Sequence, residues 1–557
     1  MQNGNDTLAA GDSVDGGAGT DRLNVFNDAN IGQFANASVS NVEQVYAQFD
    51  GTTGVDNLNV STNADVTQAW VSGGTLAAND IVTLTKAQTA GVAGTVAGAG
   101  TLAFVFSDAS AATGDVATLA LNGANTTALT TVTIADIETL NVSSTGTNVL
   151  GTVVAAAATT VNVTGTGTLS ATLASAAITT IDASASTGAM TLIATASAGN
   201  TQTITTGTGV DTITTTYAGL AGTDTINLGD GVDSLIFTDV ATFNDAATAA
   251  RLAKVTGVEK LGTVGVALTI DGDNVSQNIF TTSGVGSFAI TDAANNTTLE
   301  FGAGVAGVST AALKLGASTL NVELNGSTAA AADASNGLTV TGSSTINVES
   351  NGTAGVATNV LDLTAADNQS VVITGSQALT LTTTNAPSTT GFSIDGSAAT
   401  GVLNITGTND IDIIKGGSAA DTISGGLGAD EMTGNGGADT FTVETAAPAT
   451  AAAADIVTDF LSGTDKLSFN TNTPTAVGSA ANYSEGTAAV ATYAAALAAA
   501  TTALGVAVVY SAQQVGADTF VFVDGNTDGA LTTATEDFVV QLSGVALDGI
   551  EFGDIVA

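Results

Sequence analysis

The chain has 557 residues, with 51 Asp or Glu against 8 Lys or Arg and a formal charge of -43. It contains no histidine and no cysteine, which excludes the usual HExxH zinc proteases, Ser-His-Asp hydrolases and any disulfide framework; the missing basic stripe excludes nucleic acid as a partner. Only 11 of the acids are Glu, so the excess is Asp, the residue of turns and calcium loops, and the self-repulsion of such a chain predicts folding coupled to cation binding.

The first 60 residues open on Gly4-Asn5-Asp6, continue through Asp12 and Asp15, and reach Gly16-Gly17-Ala18-Gly19-Thr20-Asp21-Arg22-Leu23-Asn24, a full match to the nonapeptide GGxGxDxUx. In that unit the glycines permit turns at positive φ, the Asp offers a hard oxygen ligand, and the apolar U residue points inward from a short strand. Candidate calcium ligands here are Gly4, Asn5, Asp6, Asp12, Asp15, Gly17, Gly19 and Asp21. The residues before them include neither a basic n-region nor an apolar h-region, so no cleavable secretory signal is expected. Asp56, in Gly54-Val55-Asp56-Asn57-Leu58, reads equally as a ligand or as strand-turn chemistry.

A strand-rich stretch over 61–260 follows, with alternating segments such as Thr159-Thr160-Val161-Asn162-Val163-Thr164. Its second cluster, at 205–237, offers Gly207, Gly209, Asp211, Asp224, Gly229, Gly231 and Asp233, with Asp224 and Asp233 nine apart. These serve either calcium or plain turns. An echo recurs at Val39–Val45, Ile134–Leu140 and Val255–Leu261, each with a Glu at the same place, namely Glu43, Glu138 and Glu259. We read these as markers of strand entry whose carboxylates are solvated at a strand edge or, alternatively, ligate a cation. The Ala content of Asn244–Lys254 predicts a short helix.

Strands continue over 261–406, as in Ser344-Thr345-Ile346-Asn347-Val348. Gly302-Ala303-Gly304-Val305-Ala306-Gly307 matches GxGxxG, but with 66 glycines and no helix after it, the match does not read as a dinucleotide site. No lysine follows a glycine, so there is no Walker A loop.

The most specific signal lies in 407–446. Asp412, Asp421, Asp430 and Asp439 stand nine apart, each followed two residues later by Ile414, Ile423, Met432 or Phe441. One such unit cannot bury its own apolar residue, so the units must stack, and the gaps between turns suit a cation that takes six to eight oxygens. Several calcium ions are expected. The candidate ligands are Asn409, Asp410, Asp412, Gly416, Gly417, Ala419, Asp421, Gly425, Gly426, Gly428, Asp430, Gly434, Asn435, Gly437 and Asp439.

From 447 to 557 we expect a further β domain with a helix at 486–503. Although no charge interrupts 486–517, Ala and Thr dominate and no Lys or Arg flanks the run, which argues for a packed helix over a membrane span. Asp524-Gly525-Asn526-Thr527-Asp528-Gly529 resembles the first half of an EF-hand loop, with Thr535 rather than Glu at the twelfth position. Asp524, Asn526 and Asp528 form either a minimal calcium site or a solvated turn. Taken together, the chain is predicted to be mainly all-β, an elongated set of β-solenoid or β-roll and sandwich-like modules with a few short helices. It is not expected to be an enzyme. A carboxylate-only glycosidase would find few stacking platforms in 1 Trp and 5 Tyr. Cytosolic calcium is too scarce for weak sites of this type, which points outside the cell.

The opening GNDTL…GGAGTDRLNV, the Glu-marked echoes, the four nonapeptides and the C-terminal DIVTDFLSGTDKL…DTFVFVDGNTDG…FGDIVA together resemble RTX-class surface-layer proteins of Gram-negative bacteria, of the Caulobacter type. The resemblance spans nearly the whole chain. It implies export through a type I secretion apparatus by an uncleaved C-terminal signal, here Gly553-Asp554-Ile555-Val556-Ala557, followed by calcium-triggered folding and assembly into a homo-oligomeric lattice or filament. It also implies side-chain ligation by Asp412, Asp421, Asp430 and Asp439 and carbonyl ligation by their Gly and Ala neighbours. Family members usually begin with a lipopolysaccharide-anchoring domain, whereas this chain opens on a calcium motif. An adhesin or biofilm-matrix protein, or a free filament subunit, is the alternative reading.

Overall fold

Apolar and polar residues alternate along nearly every segment of this chain, so each strand buries one face and leaves the other wet. The computed structural model describes residues 11–556 except 28–36, 52–54, 77–78, 99, 111–113, 127–130, 195–200, 285, 303–307, 327–334, 353–357, 386–388, 445–449, 470–476, 506–507 and 532–536. Two compact units emerge, Met1–Val240 with Asp245–Gly262, and Ala241–Asn244 with Thr263–Ala557. Each is a parallel β-solenoid in which a strand pairs with the strand after next.

In the first unit, one face runs through Gln44–Asp50, Gln68–Leu76, Thr89–Gly98, Val116–Asn125, Thr139–Thr145 and Thr160–Gly165. The other runs through Asn79–Leu84, Thr101–Phe106 and Thr131–Ile134. Its polar walls are stitched along the axis: Asn162 Nδ2 donates to Asn141 Oδ1 at 2.8 Å. Near its start Arg22 lies 3.5 Å over the Tyr46 ring, and Tyr46 stacks on Trp70 at 5.5 Å. The next residue in register is Gly91, where a Cβ would sit 2.3 Å from the indole; any side chain there would expel the ring.

The Glu-marked echoes have a shared purpose in this unit. Glu43 accepts from the backbone N–H of Asp21 at 2.7 Å, Glu138 from Asp115 at 2.7 Å and Glu259 from Asp233 at 2.8 Å. Rather than standing solvated at a strand edge, each carboxylate reaches back one turn and caps an amide at the corner where the sheet ladder ends. Charge-assisted bonds of this kind contribute about 1.5–3 kcal/mol. Accordingly, Glu138→Ala is expected to destabilise the first unit by ~1–3 kcal/mol, with Glu138→Gln losing clearly less. Amide exchange at Asp115 would register the change, and unaltered protection there would remove this role.

In the second unit the strands shorten along the chain, from Thr319–Gly326 and Thr345–Gly352 to the three-residue Ile413–Lys415, Thr422–Ser424 and Glu431–Thr433. The apolar column is unbroken throughout. Leu320, Ile346, Val371, Ile394, Ile414, Met432 and Val457 stack in register and are all buried. On the opposite sheet Leu361, Leu381, Ile405, Ile423, Phe441, Leu467 and Ile555 do the same. The apolar residues of the nonapeptides are thus the late rungs of one core, and the two sheets meet across it, with Phe288 edge-on to Phe301 at 5.1 Å.

One of the two sheets turns antiparallel and closes this end. Asp537–Leu542 pairs parallel with Asp455–Val457 and antiparallel with Asp518–Asp524, which pairs antiparallel with Tyr510–Val515. Covering the last rung removes an open edge on which another chain could pair. Against this sheet lies the helix Tyr493–Ala503, burying Ala496 and Ala500 on Phe520, Phe522 and Val539. It is shorter than the expected 486–503, because Thr492 caps it by accepting from Ala495 N–H at 3.3 Å and Val490 forms a β-bridge with Val515. Likewise the helix expected at 244–254 reduces to Ala246–Ala249, capped by Asp245, and a 3-10 turn at Ala250–Leu252. Among the described residues, no helix is long and apolar enough to cross a membrane.

Candidate metal centre

A nine-residue step is half a solenoid turn, so consecutive nonapeptides fall on opposite edges and spatial neighbours are eighteen residues apart. Asp412 and Asp430 precede strands of one sheet, and Asp421 and Asp439 precede strands of the other. The loops stack in two columns. In one, Leu427 N–H donates to Thr408 O at 3.2 Å; in the other, Gly436 N–H donates to Gly417 O at 3.1 Å. Backbone crowding explains the glycines. A Cβ at Gly426, where φ is +90°, would sit 2.0 Å from Thr408 O, and one at Gly425 would sit 2.2 Å from Asp430 Oδ2.

The carboxylates themselves form axial ladders. Asp430 Oδ1 accepts from Asp412 N–H at 2.8 Å and Asp439 Oδ1 from Asp421 N–H at 2.8 Å, while Asp412 Oδ1 accepts from Phe392 N–H. Two further acids extend them: Asp455 accepts from Asp430 N–H at 3.0 Å and Asp465 from Asp439 N–H at 3.0 Å. Both lie outside the nine-residue period, since loops lengthen the step to 25 and 26 residues. Their local signature is still present, an Asp two residues ahead of a buried apolar residue, in Asp455-Ile456-Val457 and Asp465-Lys466-Leu467.

Burial makes Asp412, Asp421, Asp430, Asp439 and Asp455 poor anions by themselves. Desolvation, with smaller contributions from Asp412 and Glu444, pushes Asp430 up to about 7. Desolvation, with the charges of Asp421, Asp465 and Asp459, pushes Asp439 up to about 6. Asp455 is raised well above the usual range by burial and by Asp430. Oδ2 of Asp430 and Oδ2 of Asp455 are buried and accept no hydrogen bond. Stacked, dehydrated and underused oxygens of this kind fit a hard cation. No three acidic side chains converge on one point among the described residues, so backbone carbonyls would complete any coordination shell.

The other candidate residues fare differently. Asp211 and Asp233 share one column of the first unit, with Asp233 Oδ1 accepting from Asp211 N–H at 2.7 Å, and an Oδ2 on each is buried without a donor. A Cβ at Gly231 would sit 2.1 Å from Gly209 O, and one at Gly229 would sit 1.9 Å from Gly207 O, so these turns stack as the nonapeptides do. Asp224 stands in the opposite column and spends both oxygens on Gln202 and Ala221 N–H groups at 2.8 and 2.7 Å. Asp15 is exposed and binds Gly17 N–H and Asn41 Nδ2 at 3.1 and 2.8 Å. Asp21 keeps a buried, unbonded Oδ2 beside the turn at Gly17 and Gly19, whereas Asp12 is exposed. Asp56 is buried, and its N–H donates to Asp80 Oδ1 at 2.8 Å. Asn409 and Asn435 are exposed, Asn435 Nδ2 donates to Gly416 O at 2.7 Å, and Asn385 donates to Asp410 Oδ2 at 2.8 Å. Gly4, Asn5 and Asp6 lie outside the described residues, as does most of the 302–307 GxGxxG.

The family model of the RTX calcium-binding nonapeptide repeat, in four copies, matches residues 406–441. No curated protein matches the chain. The block is therefore an RTX calcium-binding repeat, of a kind typical of secreted extracellular proteins.

The sign of its pH response follows from the raised carboxylates. Without calcium, an acid whose folded pKa lies above 3.8 adds stability that is complete below 3.8 and vanishes as pH rises through about 6 for Asp439 and about 7 for Asp430. In EGTA, the melting midpoint of the second unit is expected to fall between about pH 5 and about pH 7.5. A midpoint that rises over that interval would contradict the burial argument.

Proposed function

We propose that this chain is a non-enzymatic structural protein of the bacterial exterior, a surface-layer subunit in which calcium completes the solenoid and thereby permits assembly with copies of itself into a two-dimensional lattice. The observation that carries this reading is the stack of buried carboxylates at the three-residue rungs, which makes that part of the fold conditional on a cation. Millimolar calcium is met outside the cell, so folding would await export. At a net charge of -43, copies repel one another until bound calcium lowers the charge, which couples assembly to the same ion.

The tail supports the same order of events. Asp554 accepts from Ser462 Oγ at 2.6 Å and Lys466 Nζ at 3.0 Å, and Ile555–Val556 pairs with Lys466–Phe469. If Gly553–Val556 serve as an export signal, their place in the fold would let a type I apparatus read them only before the chain folds. Electron microscopy and sedimentation of the purified protein, first in EGTA and then in millimolar calcium, test the proposal. Ordered sheets that form with calcium and dissolve on chelation are expected. Compaction to a lasting monomer would instead favour an adhesin-like module.

A further inference from the structure

The first rungs of the first unit carry a different outer face from those that follow. On the later strands the outward positions are Thr and Asn, as at Thr139, Asn141, Thr160 and Asn162, whereas Gln44–Asp50 and Gln68–Leu76 turn out Gln44, Tyr46, Gln48, Gln68 and Trp70. In register along the axis, Asn24, Tyr46, Trp70 and Gly91 form one row, and Arg22, Gln44, Gln68 and Thr89 form the row beside it.

The aromatic row acts as a pedestal. The indole lies on Gly91, the Tyr46 ring is parallel to the indole within 5°, and the Arg22 guanidinium covers the Tyr46 ring at 3.5 Å. Trp70 is only 8% exposed, so the group that the stack presents to solvent is the guanidinium. The cation–π contact and a bond from Arg22 Nε to Asn24 Oδ1 at 2.8 Å fix its plane. Among the described residues that bond is the only one the Arg22 side chain makes, and the Gln44 amide and Tyr46 hydroxyl make none. The charge pattern around it is local and distinct. No acid takes an outward position between Arg22 and Phe26, Gln44 and Gln48, or Gln68 and Ser72, in a chain with 51 acids. Asp21 and Glu43, the nearest in sequence, meet at the corner, where Glu43 accepts from Asp21 N–H.

We propose that this face binds an acidic polysaccharide, in which the two Nη groups of Arg22 fork the carboxylate of a uronic sugar while the Gln44 amide and the Tyr46 hydroxyl take ring hydroxyls. A planar guanidinium held in one orientation is suited to bidentate pairing with a carboxylate, and an amide and a phenol each offer both a donor and an acceptor to a sugar hydroxyl. Strands spaced about 4.8 Å apart repeat the amide row from Gln44 to Gln68 along the path of an extended polymer. The net charge of -43 does not keep such a partner away, because charges more than about 8 Å distant are largely screened at physiological salt. Arg22 and its acid-free surroundings then decide the contact. This site stands whether or not copies of the chain assemble.

The test uses the full chain in millimolar calcium, with hyaluronan oligosaccharides as the acidic probe and dextran as the neutral one. Trp70 is the sole tryptophan and lies beneath Tyr46 and Arg22, so its emission reports this face. Hyaluronan is expected to change that emission saturably, and dextran to leave it unchanged. In calorimetry Arg22→Ala should weaken hyaluronan at least ~10-fold. Arg22→Lys should recover only part of that loss, since an ammonium does not fork a carboxylate. Gln44→Ala should weaken binding by a smaller factor, and because Gln44 has no side-chain hydrogen bond to lose, this variant keeps the test open even where Arg22→Ala disturbs the stack. If wild type does not bind hyaluronan, if dextran binds as tightly, or if the Arg22 and Gln44 variants bind as wild type does, the proposal is overturned, and the stack serves only to hold the first rungs together.

Discussion

Replacing Asp430 by asparagine is expected to raise the melting midpoint of the calcium-free protein and to lower it in calcium. The amide keeps an oxygen for Asp412 N–H and fits the space that Gly425 leaves beside the side chain. It removes a charge that burial holds up to about 7 and that faces the raised carboxyl of Asp455. Relieving an uncompensated buried charge is worth on the order of 1–3 kcal/mol at neutral pH. In calcium the balance reverses, since a ligand present at 100 times its Kd stabilises by about 2.7 kcal/mol and the variant forfeits part of that. Asp430→Ala, which strands the Asp412 amide, should destabilise under both conditions. Calorimetry of the three proteins with EGTA and with calcium decides the matter. A midpoint that drops in EGTA for Asp430→Asn would show that the carboxylate stabilises the metal-free fold.

Chelation is expected to strip protection from the nonapeptide rungs while sparing the longer strands before them. Rungs such as Ile413–Lys415 and Thr422–Ser424 contribute one buried apolar residue each from three residues of strand, whereas Thr345–Gly352 buries Ile346 and Val348 and pairs along eight residues. Two ions at 1,000 times Kd supply about 8 kcal/mol, comparable to the 5–15 kcal/mol that holds a whole domain together. Amide exchange in EGTA should thus be fast over 413–443 and slow over 319–375, with both slow in calcium. Equal protection of the two regions after chelation would mean that calcium is not what holds the roll.

Much of this was readable from residues alone because it is local. Alternation in Thr345-Ile346-Asn347-Val348 specifies a strand with one buried face, and Asp412-Ile413-Ile414 specifies a turn acid followed by an inward residue, in any context. The solenoid class and the RTX block follow from these patterns. Asp455 and Asp465 do not show in the sequence as ladder members, because longer loops stretch their steps to 25 and 26 residues and break the nine-residue period. Asp224 and Asp233 look like partners at nine residues, yet half a turn places them on opposite edges.

The type of each rung and the chemistry of each turn follow from local residues, because side-chain period and positive-φ glycines are properties of a few consecutive positions. Which acid stacks over which was decided only by the tertiary structure. Turn length sets axial register, and register brought Glu138 to the amide of Asp115, Asp455 beneath Asp430 and Asp537 across from Asp524. Each of these pairings joins residues 13 to 25 positions apart, and in every case it is the corner or strand end where two turns meet that sets the carboxylate against its partner.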